Sequence, residues 1–449
     1  MNLSCFKAYD IRGKVPSVLN EELAWKIGYA YADEFFPKSI VIGYDARLSG
    51  PTLYEAMISG LIAAGVNVTG IGLCGTEEIY YATFAKGFDG GIMITGSHNP
   101  ADENGCKMVR EGAVPISGDS GLFNIQKRIE AGLSVKNKKE GYFNEASYRD
   151  DYIAYLLSYI SVETLTPFSI VADAGNGCAG LVMKLLMEKL PLKVTLLNGK
   201  PDGTFPNGVP NPLLPENRGI MSAAVKSSKA DFGIAWDGDF DRCFFYDAEG
   251  RFIEGYYLVG MIAESLLSCQ PGEKIIHDPR LTWNTQEIVR QAGGNPIESK
   301  TGHAFIKERM RAENALYGGE MSAHHYFRDF SYCDSGMIPW LLVAQHLSRT
   351  GKTLAQCVDE RIRKFPCSGE INSNVQDIQA VLSRIEAYYG SMPEAKISHV
   401  DGLSVDFDDW RFNLRGSNTE PVLRLNVESR GNEALMRLKT EALLKMIRE

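Results

Sequence analysis

The same local order occurs three times along this 449-residue chain: an apolar run, a loop bearing an aspartate, a helix-like stretch and a second apolar run. Ile40-Val-Ile-Gly-Tyr-Asp45 leads into 52–64 and then 65–71, Ile170-Val-Ala-Asp173 into 181–190 and then 193–197, and Ile275-Ile-His-Asp278 into 284–292 and then 294–297. That is a βαβ pattern, and it predicts parallel or mixed sheets with helices on their faces. Each unit runs on to another apolar strand that ends in a polar loop: Gly96-Ser-His-Asn-Pro100, Asp237-Gly-Asp-Phe-Asp-Arg242 and Glu320-Met-Ser-Ala-His324. Three such loops, one per unit, suggest a single site built where the units meet. After about residue 368 the pattern changes to short alternating strands at 403–407, 411–414 and 422–427, with an amphipathic helix over 433–447, which reads as a smaller α+β domain. The expected fold is three repeated mixed-sheet α/β domains plus an α+β C-terminal domain, with bounds at 1–145, 146–250, 251–366 and 367–449. The stretches 135–141, 247–251 and 365–369 read as linkers.

Asp237, Asp239 and Asp241 place three carboxylates at i, i+2 and i+4 between apolar flanks. Such a cluster is costly unless a cation sits among it, and oxygen-only ligation favours a hard ion, with Mg²⁺ expected first. A solvated acidic turn is the alternative. An EF-hand is excluded, because its sixth and twelfth positions need Gly and Glu and here hold Arg242 and Ala248. The loop follows Phe232-Gly-Ile-Ala-Trp236, and α/β enzymes keep their chemistry at the carboxyl ends of such strands.

Ser97, between Gly96 and His98, is either part of a capped turn or, facing a bound metal, a phosphoryl carrier; it lies outside the G-x-S-x-G pattern of a hydrolase. Arg415-Gly-Ser-Asn-Thr-Glu-Pro421, with Arg424 beyond it, offers an anion trap through Arg415, Ser417, Asn418 and Thr419. Glu320, Ser322 and His324 put a carboxylate, a hydroxyl and an imidazole on one loop suited to sugar hydroxyls. His324 and His325 are adjacent and point apart, which disfavours zinc. Gly175-Asn-Gly-Cys-Ala-Gly180 matches a dinucleotide fingerprint, but the acidic residue expected about 20 positions on is missing from Thr195-Leu-Leu-Asn-Gly-Lys200. Its expected role is a tight loop and close helix packing.

A net charge of −9 provides no field for nucleic acid or an anionic membrane, and no apolar run approaches the ~18 residues that span a bilayer. Nine scattered cysteines without C-x-x-C fit reduced thiols, and the N-terminus has no signal-peptide pattern, so a cytoplasmic location is expected.

Taken together, these motifs resemble, in order and over essentially the whole length, those of the bacterial α-D-phosphohexomutase superfamily, most closely its phosphomannomutase/phosphoglucomutase branch. The resemblance implies four domains around a central cleft. It implies Ser97 as a phosphoserine, Asp237, Asp239, Asp241 and a Ser97 phosphate oxygen as ligands of one Mg²⁺, and Arg242 beside the reacting phosphoryl group. Glu320, Ser322 and His324 match the sugar loop, and Arg415, Ser417, Asn418 and Thr419 match the clamp for the non-reacting phosphate. Tyr9 and Arg12 match an N-terminal motif, Lys107 and His303 match residues proposed for proton transfer, and Arg280 falls where a basic residue is common. Sugar phosphates are the implied partners and a hexose 1,6-bisphosphate the implied activator, for a monomer or homodimer. The Glu-Met-Ser loop points to mannose and glucose phosphates. A phosphomannomutase feeding GDP-mannose synthesis is the leading expectation, a phosphoglucomutase or dual-specificity enzyme the next, and a Mg²⁺-dependent sugar phosphatase or a silent sugar-phosphate binding protein more distant. Gly96, Phe240 and Ala323 replace the commoner Ala, Gly and Gly, and their side chains are expected to be small or to point away.

Overall fold

The structure is a computed structural model that describes residues 2–133, 139–416 and 422–449. Its three α/β repeats share one topology. In the first, strand Ser39–Tyr44 lies parallel to Asn67–Leu73 on one side and to Gly90–Ile94 on the other, and Gly90–Ile94 pairs antiparallel with Glu103–Arg110. The second repeats this with Ser169–Asp173 between Lys193–Leu197 and Phe232–Trp236, and Cys243–Asp247 returning antiparallel. The third uses Lys274–His277, Asn295–Glu298, Tyr317–Gly319 and His325–Phe327 in the same way. The inner parallel strands are apolar on both faces because helices cover both sides, as in the fully buried run Phe232–Trp236. Each polar loop joins the third strand of its repeat to the antiparallel fourth, at the carboxyl edge of the parallel strands.

The C-terminal segment forms an all-antiparallel sheet ordered Ile371–Asn374, Val422–Ser429, Trp410–Gly416, Leu403–Asp406 and Lys396–Ser398. Helices Ile378–Gly390 and Glu433–Arg448 supply Ile385, Tyr389, Leu443 and Ile447 to its core. No helix among the described residues is long and apolar enough to cross a membrane.

Two stretches read as linkers are ordered by hydrogen bonds. At 247–251 the chain makes a tight turn, with Asp247 Oδ1 accepting from the backbone of Glu249 (3.0 Å) and Arg251 (2.9 Å). At 365–369, Phe365 is buried and Ser368 bonds both backbone groups of Val427. Residues 134–138, within the third stretch, lie outside the described residues. The helix expected from 52 begins earlier, as Gly50–Ala63, because Pro51 is tolerated in the first turn of a helix.

The chain divides into two compact units, Met1–Phe252 with Asp329–Arg349, and Ile253–Arg328 with Thr350–Glu449. Glu77, in helix Thr76–Ala85, accounts for the first unit's discontinuity. Its fully buried carboxylate accepts from the Ser335 hydroxyl and from the Gly336 (3.2 Å) and Met337 (3.1 Å) N–H groups, capping helix Met337–Thr350. Trp236 Nε1 donates to Gly336 O at 2.9 Å beside it. Glu77→Ala strands those donors and is expected to cost about 3 kcal/mol, read as a lowered urea midpoint; an unchanged midpoint would show that the cap contributes nothing.

Candidate functional site

In the first unit, the serine loop and the acidic loop meet. The Ser97 hydroxyl donates to Asp237 Oδ2 at 3.0 Å and lies 3.2 Å from His98 Nδ1. Ser97 sits at φ 48° and is buried. The loop beneath it is built on Arg47, which is buried and donates to the carbonyls of Ser97, Asn99, Pro100 and Glu103 at 2.6–3.0 Å. A Cβ at Gly96 would lie 2.3 Å from Arg47 Nε, so glycine is what lets the guanidinium reach those carbonyls. Asp45 accepts from Thr95 Oγ1 (2.6 Å) and Gly96 N (3.2 Å), and Arg12 donates to Thr95 O at 2.7 Å while paired with Asp10.

Oxygens of Asp237, Asp239 and Asp241 lie within 4.8 Å of one another, all on buried residues. Lys107 donates to Asp239 at 2.7 Å and to Asp241, Thr76 Oγ1 donates to Asp239 at 2.5 Å, and Arg242 donates twice to Asp237 (2.9 and 2.7 Å). Burial disfavours charge on Asp237, Asp239, Lys107 and Arg242. For Asp237 burial wins over Arg242 and raises the carboxyl; for Asp239, Lys107 outweighs burial and lowers it. The same carboxylates outweigh burial at Lys107 and hold its ammonium charged. Burial and then Arg242 push His98 well below its ordinary range, so the imidazole is neutral and its Nδ1 accepts from Arg242. Asp239 Oδ1 is buried without a hydrogen-bond partner among the described residues. An all-carboxylate donor set with an unsatisfied buried oxygen fits a hard divalent cation.

The glycines at 175–180 serve packing. A Cβ at Gly177 would lie 2.5 Å from Gly238 O, and one at Gly180 2.2 Å from Gly199 O, so this loop is pressed against the acidic loop. Phe240, expected to point away, is fully buried against Gly75.

The second unit holds another cluster. Glu320 Oε1 accepts from Gly302 N (2.9 Å) and Oε2 from Tyr326 OH (2.5 Å), and burial raises its carboxyl. His303 opens helix His303–Glu313 directly after Gly302. Ser322 Oγ and His324 Nδ1 are 3.3 Å apart, His324 is 3.7 Å from Glu320, and Ala323 between them takes a left-handed φ of 69°. His325 turns the other way, into the core, 2.6 Å from Tyr317 OH. Arg280 Nη2 donates to Asp278 (2.7 Å) and lies 3.9 Å from Glu320. Arg411, paired with Glu428, holds the carbonyls of Pro279 and Arg280 and so ties the C-terminal sheet to this loop.

The first cluster thus contains Ser97, Lys107, Arg12, Arg242 and the three aspartates, and the second Arg280, Glu320, Ser322 and His324; His303 begins the helix next to Gly302, and Arg415 lies 3.5 Å from Glu370, which Arg280 also contacts. Tyr9 is half-buried one residue from Asp10. Ser417, Asn418 and Thr419 lie outside the described residues. Sequence reasoning missed Asp45, Arg47, Thr76 and Glu370. A signal for two of them was present: Asp45-Ala-Arg47 and Asp278-Pro-Arg280 follow the first strand of their repeats. In both, the arginine N–H donates to the aspartate at 3.0 Å.

Family models match all four segments: phosphoglucomutase/phosphomannomutase α/β/α domain I over 4–136, domain II over 150–250, domain III over 254–365 and the C-terminal domain over 370–445. A phosphomannomutase of Salmonella montevideo is 56% identical over 453 residues, covering 99% of each chain. A Xanthomonas campestris protein named for phosphohexose mutases is 55% identical, covering 100% of each. A solved phosphoglucomutase/phosphomannomutase family structure from Burkholderia thailandensis superposes with a TM-score of 0.89 at 33% identity, over 100% of this chain and 98% of that one.

Two measurements test this geometry. Arg47→Met leaves four loop carbonyls without their donor and is expected to lower stability by about 3–5 kcal/mol; a melting temperature within error of wild type would dismiss the scaffold role. Calorimetric titration with Mg²⁺ should give one site per chain, weakened about 10–100-fold by Asp239→Asn, whereas equal affinity would place the ion elsewhere.

Proposed function

The chain belongs to the phosphoglucomutase/phosphomannomutase family and is a mutase; from that premise we propose that it interconverts mannose 6-phosphate and mannose 1-phosphate through a phosphorylated Ser97. The carrying observation is the Ser97 hydroxyl at 3.0 Å from a buried carboxylate of the acidic triad, with Arg242 on that same carboxylate. A serine so placed is poised to carry a phosphoryl group whose charge is met by fixed cations. Asp237, Asp239 and Asp241 would hold a Mg²⁺ ion, which supplies charge neutralisation for the transferring phosphoryl group.

Phospho-Ser97 gives its phosphoryl group to the free sugar hydroxyl, producing a hexose 1,6-bisphosphate. The bisphosphate reorients, and its other phosphate returns to Ser97. Arg242 stabilises the phosphoryl group in transit. His98, held neutral, accepts from Arg242 and fixes the guanidinium plane. Lys107 or His303 would take the hydroxyl proton, Lys107 only as the neutral amine, after losing its own proton to solvent. Lys107 stays an ammonium while Asp239 and Asp241 are its counter-charges, and it gives up a proton more readily once those carboxylates are neutralised. His303 is the alternative base, beside the Glu320 loop. Glu320, Ser322 and His324 would bind the sugar hydroxyls, with Arg280 and Arg415 on the phosphate that is not being transferred.

The names of the relatives support mannose phosphate as substrate, and the Xanthomonas relative's plural name favours glucose phosphate as a second one. GDP-mannose supply and a cytoplasmic location accord with that reading. In ³¹P NMR with Mg²⁺ and a trace of hexose 1,6-bisphosphate, α-mannose 1-phosphate should convert to the 6-phosphate. Ser97→Ala should slow this by about three orders of magnitude or more. Release of inorganic phosphate instead would make the protein a phosphatase, and full turnover by the alanine variant would remove Ser97 from the reaction.

A further inference from the structure

Three arginines of the second unit converge on one carboxylate that no motif marks. Glu370, just before strand Ile371–Asn374, lies 3.2 Å from Arg280 Nη1, 3.5 Å from Arg415 Nη2 and 3.5 Å from Arg424 Nη1. Charge-assisted contacts of this kind settle at about 2.7–2.9 Å, so none of the three is tight. The Nε–H groups of Arg280, Arg415 and Arg424 are buried without an acceptor among the described residues. The cluster therefore has more donor capacity than Glu370 uses.

A carboxylate with a purely structural task looks different in the same unit. Glu428 is fully buried and accepts from Thr282 N at 2.7 Å, from Arg411 at 3.2 Å and from Tyr256 OH. Glu370 keeps 23% of its side chain exposed and has only long contacts. Burial would raise its carboxyl, but the three guanidiniums outweigh that and keep it below the ordinary range, so it is an anion. Asp278 and Asp401 partly neutralise the same arginines from outside the cluster, at 2.7 Å from Arg280 and 3.8 Å from Arg415.

We propose that Glu370 is a tethered counter-anion that occupies the arginine cluster in place of the substrate's non-transferring phosphate and limits how tightly that phosphate is held. The inference rests on the mutase reading above, in which this cluster grips a phosphate. A bisphosphate must release one end before the other can react, and a phosphate dianion among three partly desolvated guanidiniums would be released slowly. A carboxylate in the cluster opposes that grip by repulsion and competes for the same N–H groups, shortening the residence of either end.

The test compares wild type with Glu370→Gln, Glu370→Ala and Glu370→Asp by calorimetric titration of inorganic phosphate and by steady-state kinetics with hexose phosphates, both on the Mg²⁺-loaded protein. Phosphate bound at the Ser97 cluster is common to all four proteins and is fitted as a second, shared site. Glu370→Gln and Glu370→Ala should bind phosphate about ten-fold tighter, with KM and kcat both reduced, and Glu370→Asp should stay within about two-fold of wild type. Weaker or unchanged phosphate binding in the Gln and Ala variants would overturn the inference and make Glu370 a holder of arginine geometry. If Gln fails to fold, the Ala and Asp pair decides it. Tighter phosphate binding in a protein that turns over neither mannose nor glucose phosphate would sustain this inference and sink the catalytic reading alone.

Discussion

Three carboxylates within five residues cannot be buried without cations, and in this protein one of them, Arg242, is local while another comes from a different repeat. Asp237, Asp239 and Asp241 sit on the second repeat, while Lys107 reaches them from the antiparallel strand of the first. Thr76, from the first repeat's second helix, adds both its hydroxyl and its backbone N–H to Asp239. Phe240 closes the contact against Gly75. The two repeats are thus joined by the chemistry of the site itself. A polar interface of this kind is expensive when half made, so the serine and the acidic loop are held in a fixed relation.

The loops that carry this chemistry are supported by one recurring device. At the end of the first strand of every repeat, an aspartate accepts from the backbone N–H two residues on: Asp45 from Arg47, Asp173 from Gly175, Asp278 from Arg280. In the first and third repeats its other oxygen reaches the loop after the third strand, at Gly96 and at Met321. The same turn thereby steadies the serine loop in one repeat and the Glu320–His324 loop in another. In the second repeat a glycine replaces the arginine, and the loop there lies directly against Gly238.

Much of this was legible in the sequence because it is local. Apolar periodicity located the strands, and the three polar loops stood out by residue type. The aspartate turns were visible as repeated letters. Arg47, Glu77 and Glu370 were not, because their roles depend on partners 50 to 260 positions away. An arginine in a polar stretch reads as solvated, and nothing nearby in sequence says that Arg47 is enclosed by four carbonyls. The burial of Phe240 was hidden for the same reason: the pocket that receives its ring is made by Gly75, far along the chain. The stretches 247–251 and 365–369 have the composition of linkers; the first is ordered by the local bonds of Asp247 and the second by distant bonds to Val427.

The helix cap at Glu77 bears on how the chain is made. A ribosome releases residues 1–252 first, yet the unit they form also contains 329–349. Until that segment emerges, Glu77 has no Ser335, Gly336 or Met337 to satisfy it and Trp236 lacks its carbonyl partner. The intervening 253–328 belongs to the other unit and must be synthesised in between. The first unit therefore cannot complete its Glu77 cap before residues 335–337 are made. It waits, with a buried-acid pocket open, for a helix encoded some 80 codons later, so vectorial synthesis couples the completion of one unit to the emergence of the next.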